Sequence, residues 1–252
     1  MKLTILGSGT GWIRADRHAP AYLVSLEDFH MLLDIGPGTL YQLPKINCSL
    51  NDLSALFISH FHPDHVTDLI PFFFATRYQL GYTRRTPITL ISHYSFSDFY
   101  EGLKRAFGHW VCPPEGLLKL RLISEEDPFS FEFGPFQVTT VKVNHNPESL
   151  AIRLEFEGKS VTYSGDTGWC EALIELAKGC DLLILECANS ETFASPYHLG
   201  PEEITEIAFQ AKPKKLILSH FYPHSENPYL GVLKKNYDGE IILAEDLLTL
   251  TL

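Results

Sequence analysis

Basic side chains are scarce in this chain. Its 252 residues hold 20 lysines and arginines against 31 acidic residues, a formal net charge of −11. A surface of that sign lacks the positive footprint that displaces counterions from a nucleic-acid backbone, which argues against a general nucleic-acid binder and leaves only local pairs such as Arg84-Arg85, most simply read as solvated. Long apolar runs are also missing: nothing approaches the ~20 residues of a membrane-spanning helix. Met1 to Gly7 has neither the apolar core nor the cleavage site of a signal peptide. The five cysteines, Cys48, Cys112, Cys170, Cys180 and Cys187, are odd in number and show no C-x-x-C spacing, so no disulfide framework is expected. A phosphate loop is absent too. Gly7-Ser8-Gly9-Thr10-Gly11 follows a first strand, but no Gly-Lys-Ser/Thr and no helix pattern follow it, so a turn or a close approach of another group is favoured. These absences leave a cytoplasmic protein that spans no membrane. Its length is at the upper end of one domain, expected over residues 1–252.

What the chain has is histidine and aspartate at the ends of strands. Ala55-Leu56-Phe57-Ile58-Ser59 reads as a buried strand that runs into His60-Phe61-His62-Pro63-Asp64-His65. Side chains two apart on an extended segment share a side, so His60 and His62 can face one metal, and once Pro63 turns the chain Asp64 and His65 face a second. The pattern recurs. His145 follows the second of two strands between Phe129 and Val143; Asp166 follows Val161–Ser164; Glu186 ends Asp181–Leu185; His220 ends Leu216–Ser219. Helices are expected at Gly38–Leu43, at Phe96–Phe107, at Glu171–Lys178, at Pro201–Ala211, and after Asp68, where Pro71 lies in the first turn. Phe72-Phe73-Phe74 reads as core rather than a substrate platform. The alternation of strands and ligand-type residues suggests two sheets with helices outside.

The seven residues His60, His62, Asp64, His65, His145, Asp166 and His220 carry a resemblance. With the glycine turn, Asp34-Ile35-Gly36, Ser164-Gly165-Asp166-Thr167 and Leu218-Ser219-His220-Phe221, the chain resembles the metallo-β-lactamase-fold hydrolases over almost its whole length. Within them it looks most like the branch of the tRNA 3′-processing ribonuclease Z and the small cyclic-phosphate phosphodiesterases. The resemblance implies an α+β fold, a four-layer αββα sandwich with metals at one edge between the sheets. It implies that His60, His62 and His145 hold one Zn²⁺, that Asp64, His65 and His220 hold the other, and that Asp166 bridges them. Ligand type equally admits Mn²⁺ or Fe²⁺. Two such metals ~3.5–4 Å apart share a water, lower its pKa and clamp an in-line displacement.

Two further residues point to phosphoesters within the resemblance. His198, in Tyr197-His198-Leu199-Gly200, falls where the ribonuclease Z branch has a histidine that protonates the leaving oxygen, and Glu186 falls where a glutamate orients it. A loop histidine and a turn-capping carboxylate are the plain alternatives. His18, His30, His93, His109 and His224 match no motif. Two departures stand out. Asp68 occupies a position where the branch usually has glycine, and capping of the Pro71 helix is the favoured reading over a part in the metal site. Only 20 residues separate His145 from Asp166, too few for a tRNA-gripping arm. The expected function is therefore a phosphodiesterase that hydrolyses a small or short-oligonucleotide phosphodiester through a metal-bridging hydroxide oriented by Asp64. Rivals are a tRNA 3′-endonuclease, a thioesterase or lactonase on the same metals, and a non-enzymatic binding module. A homodimer is compatible with the resemblance, in which some members lend the arm across subunits.

Overall fold

The structure, a computed structural model, describes residues 1–78, 86–124, 127–190, 193–225 and 230–252. Arg84-Arg85, like residues 226–229, lie outside the described residues. The first half of the chain gives β1 (Lys2–Gly7), β2 (Ala21–Leu26), β3 (Phe29–Leu33), β4 (Leu53–Phe57), β5 (Ile88–His93) and β6 (Leu118–Ile123). Among these strands run the helices α1 (Thr39–Gln42), α2 (Pro63–Val66), α3 (Leu69–Tyr78) and α4 (Phe96–Phe107). The second half gives β7 (Phe129–Phe133), β8 (Phe136–Lys142), β9 (Leu150–Phe156), β10 (Lys159–Tyr163), β11 (Leu182–Glu186), β12 (Lys215–Ser219), β13 (Glu240–Leu243) and β14 (Thr249–Thr251), with α5 (Glu171–Ala177), α6 (Pro201–Ala211) and α7 (Leu233–Asn236).

These strands form two seven-stranded sheets, in the orders β14-β1-β2-β3-β4-β5-β6 and β13-β12-β11-β10-β9-β8-β7. The alternation of side chains explains how they stack. Leu3, Ile5, Tyr22, Val24, Met31, Leu33, Ala55 and Phe57 point to one face of the first sheet and pack with Val138, Ile152, Leu154, Val161 and Ile184 of the second. Leu6, Leu23, Leu32, Leu56 and Leu90 point the other way, to a separate core with Phe72, Phe73 and Phe96 of α3 and α4. On the far face of the second sheet sit Leu173 and Ile174 of α5 and Ile204 and Ile207 of α6. The result is the expected helix–sheet–sheet–helix sandwich. Leu182 to Leu185 are buried without alternation, as a parallel strand covered on both faces requires.

The expected elements appear with shifted ends, and three were not anticipated: α2, β6 and α7. β6 was passed over although its leucines alternate with Lys119 and Arg121; α2 and α7 are single turns. Strand β4 ends at Phe57, two residues before the expected Ser59, because Ser59 leaves the ladder to bond a buried carboxylate. The glycine turn is one of close approach: a Cβ on Gly7 would lie 1.8 Å from the Ala19 carbonyl oxygen. No helix among the described residues is long and apolar enough to cross a membrane, and all five cysteines are free thiols.

Candidate metal centre

One edge of the sandwich collects the carboxyl ends of β3, β4, β8, β10, β11 and β12, because β8 and β10 to β12 run the same way in their sheet, as do β3 and β4 in theirs. Each strand end therefore delivers its following residue to a common place. After β4 come His60 and then His62, which is extended and precedes the one-turn helix α2 with Pro63 at its start. That turn carries Asp64 and His65. His145, Asp166 and His220 arrive from β8, β10 and β12, and His220 sits at φ +59°, a strained backbone for a side chain.

The structure brings together all seven expected residues. The donor atoms of His60, His62, His145 and Asp166 lie within 4.8 Å of one another; so do those of Asp64, His65 and His220, and those of Asp166, His198 and His220. Asp166 lies between the groups, with one oxygen 3.8 Å from His60 Nε2 and the other 3.2 Å from His65 Nε2 and 3.4 Å from His220 Nε2. The opposite ring nitrogens of three histidines are tied down, while His220 Nδ1 has no hydrogen-bond partner. His145 Nδ1 donates to the Tyr197 carbonyl at 3.0 Å, His65 Nδ1 to Asp34 at 2.7 Å, and His62 Nε2 accepts from the Asn146 amide at 3.0 Å. Asp64 accepts the Gly11 backbone N–H at 2.9 Å. In contrast, His60 Nε2, His65 Nε2, His220 Nε2 and Asp166 Oδ1 are buried and have no hydrogen-bond partner. Buried polar atoms without partners signal a missing positive group, and neutral imidazoles with carboxylates are the donor set of a divalent cation. The residues fit metal ions.

The local charges agree with that fit at His60, Asp166 and Asp64; at His65 burial opposes charge but Asp166 and Asp34 outweigh it and raise the ring well above its ordinary value, so a metal there would displace a proton. Burial and the neighbouring His65 push the His60 imidazole well below its ordinary value, towards the neutral form a metal needs. Burial works against ionisation of Asp166, but His220 and His65 outweigh it and hold the carboxyl well below the usual range; His220 and His65 act likewise on Asp64.

His198 stands beside the cluster. Its ring is 5.0 Å from that of His145 and nearly parallel to that of His220 at 6.1 Å. Nδ1 is 2.8 Å from Glu186 Oε1, and the same carboxylate accepts the backbone N–H groups of Thr167 and Ala188. Burial disfavours charge on this ring, yet the Glu186 hydrogen bond and charge, with Asp166 and Asp64 beyond, push it up to about 9. Oε1 of Glu186 accepts from both His198 and Thr167, and Oε2 from Ala188.

A model described as "Beta-lactamase superfamily domain" matches residues 30–221, three quarters of the chain. The chain belongs to the beta-lactamase superfamily. This superfamily member is 26% identical to the protein named Ribonuclease Z of Methanosarcina acetivorans, over 302 aligned positions covering 99% of this chain and 97% of that one. It is 27% identical to the probable metallo-hydrolase YhfI of Bacillus subtilis, with 97% of each covered. The crystal structure of YhfI, a metallo-beta-lactamase fold protein, superposes with a TM-score of 0.82 at 24% identity, covering 99% and 98% of the two chains. Human tRNase Z, short form, superposes with a TM-score of 0.80 at 22% identity over 100% and 99%. The fold is the metallo-β-lactamase fold.

Asp68 corrects an expectation. Its carbonyl accepts from Phe72 at the start of α3, but its carboxylate turns to α1 and accepts the N–H groups of Gly38 (3.1 Å) and Leu40 (3.0 Å). It caps the neighbouring helix, outside the metal-type groups. His18 pairs with Asp246, His30 with Ser25 and His93 with Ser95, the His109 ring lies tilted against Trp110, and His224 stacks on Tyr222. Phe72 and Phe73 are buried as expected, whereas Phe74 is 45% exposed. Residues given no role in the sequence reading now have one: Asp34, Ser59 and Tyr163 behind the histidines, and the Gly11 amide on Asp64. The Asp34-Ile35-Gly36 motif was the available signal for the first.

Proposed function

We propose that residues 1–252 form one metallo-hydrolase domain that cleaves a small or short phosphodiester in the cytoplasm. His60, His62 and His145 would hold one divalent ion, Zn²⁺ before Mn²⁺ or Fe²⁺; Asp64, His65 and His220 would hold the second, with Asp166 between. Ions bound there supply Lewis acidity and bring the pKa of water towards neutrality. Asp64, kept ionised by its histidine neighbours, accepts a hydrogen bond from the attacking water and orients it. His198 is the observation that carries the phosphodiester reading. With Nδ1 held by Glu186, His198 brings its ring to the cluster, and an alkoxide leaving group needs an acid there, worth typically ~10²–10⁴ in rate. A thioester expels a thiolate, which leaves without such an acid.

The tRNA reading is favoured by the relatives named Ribonuclease Z and tRNase Z. Against it, the stretch between His145 and Asp166 is filled by β9, the Glu157-Gly158 turn and β10, a closed hairpin without room for an arm. The test is a substrate panel on zinc- and manganese-loaded protein. Hydrolysis of bis(p-nitrophenyl) phosphate without turnover of thioesters or lactones is expected. Cleavage confined to precursor tRNA would replace the small-substrate reading, and preferential thioester or lactone turnover would reject the phosphodiester one.

A further inference from the structure

Asp34 is fully buried at the end of β3, at φ +57°, and is the meeting point of four hydrogen bonds. Oδ1 accepts the Ser59 backbone N–H at 2.7 Å; Oδ2 accepts Ser59 Oγ, His65 Nδ1 and Tyr163 Oη, each at 2.7 Å. The donors come from β4's end, α2 and β10, so one carboxylate ties the two sheets together behind the metal-type cluster. A left-handed aspartate is a strained choice that its surroundings must enforce.

The direction of each hydrogen follows from simple counting. A carboxylate has no hydrogen to give. Tyr163, its phenol pushed well above the ordinary value by burial and by Asp34, donates. Ser59 has a single hydroxyl hydrogen, and Asp34 takes it. Ser59 Oγ, 3.0 Å from His60 Nδ1, is left with only lone pairs towards that ring, so His60 Nδ1 must carry a hydrogen and donate it. His65 Nδ1 donates directly to Asp34. In both rings Nε2 is consequently the atom presented to the cluster, and in both it is the buried atom without a partner.

We infer that Asp34 is a shared positioning residue that fixes the tautomer and rotation of one histidine in each of the two ligand groups: His65 directly, and His60 through Ser59. The inference rests on the ligand groups of the proposed function. Its consequence is coupling. Losing Asp34 disturbs both metal positions at once, whereas losing the Ser59 hydroxyl disturbs only the one containing His60.

Two measurements test it. Long-range ¹H–¹⁵N spectra of the zinc-loaded protein should place a hydrogen on Nδ1 of both His60 and His65; a hydrogen on Nε2 of either overturns the inference. Chelator competition should find two tight equivalents in the wild type, both weakened ~10–100-fold in Asp34→Asn and one alone weakened in Ser59→Ala. Asp34→Asn that leaves either equivalent at wild-type affinity contradicts the coupling. If Asp34→Asn fails to fold, Ser59→Ala decides: no loss, or equal loss at both equivalents, contradicts the relay. A wild-type protein that binds no metal overturns the ligand reading and this inference with it, whereas two tight equivalents with unaltered variants overturn the inference alone.

Discussion

His198 and Glu186 lie twelve positions apart in sequence and share one hydrogen bond, the pair that supplies the acid in the proposed function. The glutamate is 2% exposed and accepts two backbone N–H groups besides the imidazole, so its position is fixed before any substrate arrives. In metal-free protein the His198 ring should remain an imidazolium through neutral pH and titrate near 9 in histidine-resolved NMR. Glu186→Gln should bring that titration down, since the main raising influence has gone and burial remains; an unchanged midpoint would detach Glu186 from His198. The sign for stability follows. A folded-state pKa above the ordinary value near 6.5 means that the pair's contribution to the metal-free fold is complete below about pH 6.5 and is lost as the pH rises through about 9.

At the scale of elements, Asp68 shows how a residue beside a motif can serve the frame instead of the chemistry. Its carboxylate caps α1 while burial pushes its carboxyl upward against the Leu40 and Gly38 amides. Asp68→Ala should cost about 0.5–2 kcal/mol in urea unfolding, the usual scale for a lost cap, with metal content unchanged. Loss of bound metal in a folded Asp68→Ala protein would place Asp68 in the metal site. The same residue marks the limit of sequence reading. That Asp68 would cap was legible from its type; which helix it caps depends on α1 lying against the start of α3, a tertiary fact. β11, α4 and α6 were legible because continuous burial, 3.6-residue spacing and a proline in the first turn are written locally. β6 carries a readable period too, Leu118, Leu120 and Leu122 alternating with Lys119 and Arg121, and it was passed over. The seven ligand-type residues were legible as strand ends. The roles of Asp34 and Ser59 were not, since a hydrogen bond between residues 25 apart leaves no local trace.

At the scale of the molecule, the two sheets hold the fold and the cluster sits at their shared edge. Adding metal should therefore stabilise an already folded chain rather than create it. At a free metal concentration of ~100 times Kd the gain is roughly 2.7 kcal/mol per site, a rise in Tm of several degrees for a chain of this size. Calorimetry with and without chelator checks this; a chelated protein without a cooperative transition would assign the metals a structural role. In the proposed function, the hairpin between His145 and Asp166 limits the size of the substrate and His198 supplies the acid. The central claim is that His198 protonates a leaving oxygen. It is tested by comparing wild type with His198→Ala on a phosphodiester whose leaving group is p-nitrophenolate and on a dinucleoside monophosphate whose leaving group is an alkoxide. A loss of ~10²–10⁴ in kcat on the alkoxide substrate, with less than ~10-fold on the p-nitrophenolate one and unchanged metal content, is predicted. An equal loss on both substrates, or a loss that tracks bound metal, would contradict it.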